Sequence, residues 1–90
     1  MNRQYHRHAD LRLTELAGEG VVLHLGERRY FTVNETGLTL LNALEQPRTF
    51  DQLVASILEE FDVEADVAAT TTREFLDRCV DAKVVRTLDA

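Results

Sequence analysis

Apolar side chains alternate with polar ones early in the chain and recur every three or four positions later. "LRLTEL" (Leu11 to Leu16) alternates through Leu11 and Leu13 and predicts a short strand. "AGEG" then supplies a turn, and the β-branched run "VVLHL" (Val21 to Leu25) predicts a second strand. "GER" is a connection of hairpin length. "RYFTV" (Arg29 to Val33) predicts a third, with Phe31 and Val33 on one face and Tyr30 and Thr32 on the other. The expected product is a three-stranded antiparallel meander.

The rhythm changes at Asn34. Leu38, Leu41 and Leu44, with Leu40 alongside, form a helical stripe that Pro47 ends. Asn is a strong N-cap, because its side-chain oxygen accepts a hydrogen bond from a free backbone N–H. Glu35 favours the positive end of the helix dipole. Strand can therefore pass into helix with Asn34 as the pivot. Gly37 weakens the helix and allows close contact with the sheet.

"TFDQLVASILEEF" predicts a second helix. Thr49 and Gln52 fit a capping box, and Phe50, Leu53, Val54, Ile57, Leu58 and Phe61 make its apolar face. "DVEAD" breaks it. A third helix is expected over 65–82, capped by Asp62, with Val67, Thr71, Phe75 or Leu76, Cys79 and Val80 facing inward. "KVVRTL" suits a short strand or an extended tail. The order predicts an α+β fold: a three-stranded antiparallel sheet followed by three helices. Residues 1–10 are expected as a flexible tail, and residues 11–87 as one domain.

Composition narrows the chemistry. The chain has 90 residues, 44% of them hydrophobic, within the range of a globular domain and above that of a disordered one. It contains no run of 18 apolar residues and no signal-peptide pattern, so neither a membrane span nor export is expected. One cysteine, Cys79, excludes an internal disulfide and suits a reducing cytoplasm. The net charge of −6 disfavours binding to nucleic acid, whose main attraction is to Lys and Arg.

Catalytic groups are few. His6 and His8 lie in the polar tail without a third metal ligand nearby. His24 is expected to face solvent, opposite a Val21/Leu23/Leu25 face. Cys79 reads as a small core hydrophobe. Glu59-Glu60 and Asp62-Glu64 read as a charged turn. "GERRYFTVNETG" has glycines but neither a phosphate-loop lysine motif nor dinucleotide spacing. No enzyme activity, cofactor or metal is expected. "TTTREF" (Thr70 to Phe75) is unusual, because three threonines are poor helix formers. They give a compact polar surface that another chain could approach.

"RRYFTVNETGLTLLNAL", then "RTFDQLVASILEEFDV", then "FLDRCVDAKVV" resemble the PQQ synthesis protein D family across Leu11 to Val85. The matching pattern is an aromatic third strand, "L-N-x-T-G" running into a helix, a "T-hydrophobic-x-x-L" helix, an acidic "hydrophobic-D-V" turn and a last helix ending "F-L-x-x-hydrophobic". The chain departs from it with Val33 for leucine, Leu40-Leu41 for Ile-Trp, and no tryptophan.

The resemblance implies a winged helix-turn-helix-like domain. It implies recognition of the leader segment of a ribosomally made precursor peptide, in a PQQ, lasso or related pathway. In the family it resembles, the leader adds as a strand along the third strand and rests against the third helix. The partner enzyme would be a radical SAM maturase, a leader peptidase or a cyclase.

The physical basis is an edge strand with unpaired backbone groups. The residues expected to touch peptide are Arg28, Arg29, Tyr30, Phe31, Thr32 and Val33 on the strand. On the helix they are Val67, Thr70, Thr71, Glu74, Phe75 and Arg78. Arg28, Arg29 and Arg78 suit acidic leader residues. The alternatives are a homodimeric interaction module, a winged-helix DNA-binding domain and a small enzyme using Cys79. The acidic second helix, without Lys or Arg between Phe50 and Phe61, counts against DNA.

Overall fold

A computed structural model describes residues 3–89. The elements are β1 (Arg3–Arg7), β2 (Leu11–Leu16), β3 (Glu19–His24), β4 (Arg29–Val33), α1 (Glu35–Ala43), β5 (Arg48–Thr49), α2 (Phe50–Glu60), α3 (Ala65–Asp81) and β6 (Val85–Asp89). The expected meander is the antiparallel sheet β2-β3-β4, and the three helices follow it. The fold is α+β, of winged helix-turn-helix type.

A second antiparallel sheet, β5-β1-β6, joins the chain ends. Residues 3–7, expected within a flexible tail, form its central strand, with Gln4 opposite Leu88 on one side and Thr49 on the other. Tyr5 is buried in the core. Its hydroxyl accepts a hydrogen bond from Arg73 at 3.4 Å, and the Arg73 guanidinium lies 4.3 Å from the Phe50 ring centroid. "RQYHR" shows no apolar alternation, so only these distant partners make it a strand.

The β2–β3 hairpin turns on two residues, Ala17 (φ 53°) and Gly18 (φ 82°), with Leu16 opposite Glu19. Positive φ at both positions matches the twist of the flanking strands. The inward face of β3 is the reverse of the one expected. Val22 and His24 are buried, whereas Leu23 and Leu25 are exposed. The Val21/Leu23/Leu25 face is the more apolar in sequence, but Val22 packs on the core and His24 is buried through its bond to the Lys83 carbonyl.

The strand-to-helix junction is as the sequence reads. Asn34 is extended, and its Oδ1 accepts from the Gly37 N–H at 3.0 Å. The capping box of α2 is also present: Thr49 Oγ1 accepts from the Gln52 N–H at 3.2 Å, and Gln52 Oε1 from the Thr49 N–H at 2.9 Å. The cap of α3 is Glu64, not Asp62, and its side chain makes no capping bond.

The core gathers Leu40, Leu41, Leu44, Leu53 and Leu76, all fully buried, beneath Val22 of the sheet. From α3 it takes Ala68, Thr72, Phe75, Leu76 and Cys79. Val67 and Val80, expected inward, are exposed, and Thr71 is half-buried. The buried stripe thus starts one residue later than expected, at Ala68 and Thr72.

Candidate functional site

β4 is the edge of its sheet; among the described residues its only strand partner is β3, in a register that sets Val22 opposite Phe31. The pleat sends Phe31 and Val33 toward α3 and leaves Tyr30 and Thr32 exposed on the outer face.

Glycine permits this approach. A Cβ on Gly37 would fall 2.8 Å from the Phe75 ring and 2.9 Å from the Val33 Cβ. Real side chains do not come that close, so only glycine lets α1 meet β4 and α3 together here.

Between β4 and the C-terminal half of α3 lies a groove of about 410 Å³. Its floor and walls are Val22, Phe31, Val33, Phe75, Cys79, Ala82 and Val84, with Thr32, Asn34 and Arg78 at its margins. The Arg29 guanidinium sits 5.1 Å from the Phe31 ring centroid, within cation–π range. The site is an apolar trough with one unpaired strand edge and two arginines beside it.

Cys79 contributes bulk to this trough. Burial pushes its thiol from an ordinary 9.0 up to about 12, against the smaller opposing effect of the Arg78 charge. It is held as a neutral thiol, the opposite of what a nucleophile needs. Among the described residues, no group of three His, Cys, Asp or Glu side chains is placed to hold a metal. His6 Nε2 faces the Glu45 carbonyl at 3.2 Å, and His8 Nδ1 accepts from the Asp10 N–H at 3.2 Å. A second concavity, about 700 Å³, lies among the β2–β3 hairpin, α1 and α2. Glu15, Glu35, Glu59 and Glu60 make it acidic.

Of the residues expected at the site, Phe31, Thr32, Val33, Phe75 and Arg78 border the groove, and Arg29 reaches it through Phe31. Tyr30 points away and is 73% exposed. Arg28 occupies the β3–β4 turn at φ 55°. Val67, Thr70, Thr71 and Glu74 lie further toward the α3 N-terminus and do not line it. Val22, Asn34, Cys79, Ala82 and Val84 were not expected there. Cys79 and Ala82 follow Phe75 by four and seven residues, one helical stripe that a count from Phe75 would have found. Val22 and Val84 carried no such signal.

The family model described as Coenzyme PQQ synthesis protein D (PqqD) matches residues 19–85, most of the chain and every element bordering the groove. The chain belongs to the PqqD family.

Within that family frame, a solved structure of TbiB1 in complex with the TbiA(beta) leader peptide superposes with a TM-score of 0.80. It is 21% identical, and the match covers 90% of this chain and 94% of that one. At that identity the likeness establishes the shared fold. No curated protein matches the chain. No helix among the described residues is long and apolar enough to cross a membrane.

Proposed function

We propose that this PqqD-family chain is a non-catalytic recognition element for the leader segment of a ribosomally made precursor peptide. The leader adds as a strand to β4, with alternate side chains in the groove against α3. The observation that carries this reading is the free β4 edge lying directly beside an apolar trough.

Each half of that arrangement does different work. The strand edge offers backbone donors and acceptors to any extended peptide, which gives affinity without sequence choice. The trough selects apolar side chains at every second position, because a strand presents one face at that period. Arg78 and Arg29 then favour a carboxylate on the same peptide. The raised, neutral Cys79 thiol in the groove is unsuited to act as a nucleophile on the ligand. In this reading, chemistry on the core peptide belongs to a separate enzyme, of the radical SAM maturase, leader peptidase or cyclase kind. The TbiB1 complex, a protein of the same fold holding a leader peptide, supports this reading.

The test is calorimetry with a synthetic peptide of the leader segment encoded beside this chain's gene, on the wild type and on Ala82→Leu. Leucine is a good helix former, and at Ala82 it fills the trough. Saturable binding that Ala82→Leu weakens at least tenfold is expected. Equal binding by both proteins would remove the groove from the reading.

A second reading, self-association, draws on the outer face of the β2-β3-β4 sheet, where Leu16, Leu23 and Tyr30 are exposed. Light scattering with and without the peptide separates a monomer that binds leader from a dimer that does not.

A further inference from the structure

His24 is 2% exposed and has both ring nitrogens engaged. Nδ1 accepts from the Glu27 N–H at 3.2 Å, so Nε2 carries the hydrogen and donates to the Lys83 carbonyl at 3.0 Å. The two partners belong to different corners. Glu27 lies in the β3–β4 turn, and Lys83 lies between α3 and β6. One imidazole therefore bridges two connections 59 and 3 residues away in sequence.

Both corners hold a non-glycine residue in the left-handed region: Arg28 at φ 55° and Lys83 at φ 63°. Such residues persist only where their surroundings fix them. Further contacts converge on the same corners, with His24 at their centre. The Lys83 ammonium also meets the Glu27 carboxylate at 3.9 Å. The His8 ring packs on His24 at 4.8 Å between centroids, while the His8 N–H donates to the Val84 carbonyl at 2.9 Å. The Leu25 N–H donates to the Asp10 carbonyl at 2.9 Å, which brings the β1–β2 connection to the same point.

These corners are one end of the groove. Arg29, opposite His24 in the strand register, starts β4 just after the turn. Ala82 and Val84, on either side of Lys83, both line the trough. We infer that His24 is a positioning residue: it clasps the β3–β4 turn to the α3–β6 corner and so fixes the width of the groove where a strand enters. The inference rests on the leader-binding reading. A groove of fixed width spares an incoming peptide the cost of ordering its walls.

The test compares wild type, His24→Gln, His24→Phe and a remote control, Ile57→Val in α2. Gln keeps a donor and an acceptor, Phe keeps only the ring, and Ile57→Val lowers stability away from the groove. Two quantities are read: calorimetric affinity for the leader peptide, and amide hydrogen exchange at Glu27 and Val84 in the free protein. In folded His24→Phe, about tenfold weaker binding and faster exchange at both amides are expected. Gln should restore affinity to within about threefold, and the Ile57→Val control should bind as wild type. A His24→Phe protein that binds as wild type, or exchanges unchanged at both amides, overturns the inference. So does an Ile57→Val control that loses affinity in step with its stability. If wild type itself ignores the peptide, the leader-binding reading fails, and the exchange data still decide whether His24 holds the corners.

Discussion

The Phe75 ring lies directly against the backbone of Gly37, with 2.8 Å between its edge and the place a Cβ would occupy. This contact joins the first and third helices at the wall of the groove. Val33 closes the same space from the strand side, 2.9 Å from that position.

Gly37→Ala sets two effects in opposition. Alanine gains about 1 kcal/mol of helix propensity over glycine. The added methyl meets the Val33 Cβ, which cannot swing aside, and the Phe75 ring; overpacking of this kind costs about 1–3 kcal/mol. The clash is expected to win. Urea denaturation should show a lower midpoint with an unchanged slope, and leader affinity should fall because Phe75 and Val33 both border the groove.

Asn34 holds the strand-to-helix junction through one hydrogen bond to Gly37. Asn34→Ala is expected to cost about 1 kcal/mol, and Asn34→Gly only a few tenths, because glycine tolerates the cap geometry. Thermal unfolding of the two variants should rank them in that order, and losses near zero in both would mean that the cap bond contributes little.

Cys79 gives a pH-dependent result. Its folded thiol is raised to about 12 from 9.0, so a thiol reagent at pH 8 should react only as fast as the protein opens. The sign for stability follows. A raised value favours the protonated thiol in the folded state, so the contribution is complete below about pH 9 and is lost as the pH climbs toward 12. The stability advantage of wild type over Cys79→Ala, measured by urea between pH 8 and 11, should shrink with rising pH. Rapid labelling at pH 8 in the folded protein would contradict the burial.

Arg78 is exposed and stands at the groove margin in the last turn of α3. Arg78→Glu loses a favourable interaction with the helix dipole, about 0.3–1 kcal/mol. Its larger effect should be on binding: a leader peptide with acidic residues is expected to bind at least tenfold more weakly. The Cys79 thiol should rise further, since the Arg78 charge is what lowers it. A fluorescence-anisotropy titration beside a melting curve separates the two effects.

Several features were decided by local chemistry and are readable from the residues alone. Asn34 and the Thr49/Gln52 pair make their bonds within three positions, so no distant partner is needed to choose them. The β2-β3-β4 meander and the three helices are likewise carried by short-range periodicity and spacing. Packing between distant segments settled the rest. β1 exists because β5 and β6 pair with it, and its own sequence favours no strand. The burial of Val22 and His24 over Leu23 and Leu25 was decided by which β3 face met the helices, against the more apolar face in sequence. Thr72 rather than Thr71 is buried because the Ala68, Thr72, Phe75, Leu76 and Cys79 face packs on the core, a choice that three adjacent threonines leave unreadable in the sequence. The groove belongs to this second class: Val22, Phe31, Phe75 and Val84 lie far apart in sequence, and only the closed fold makes them one surface.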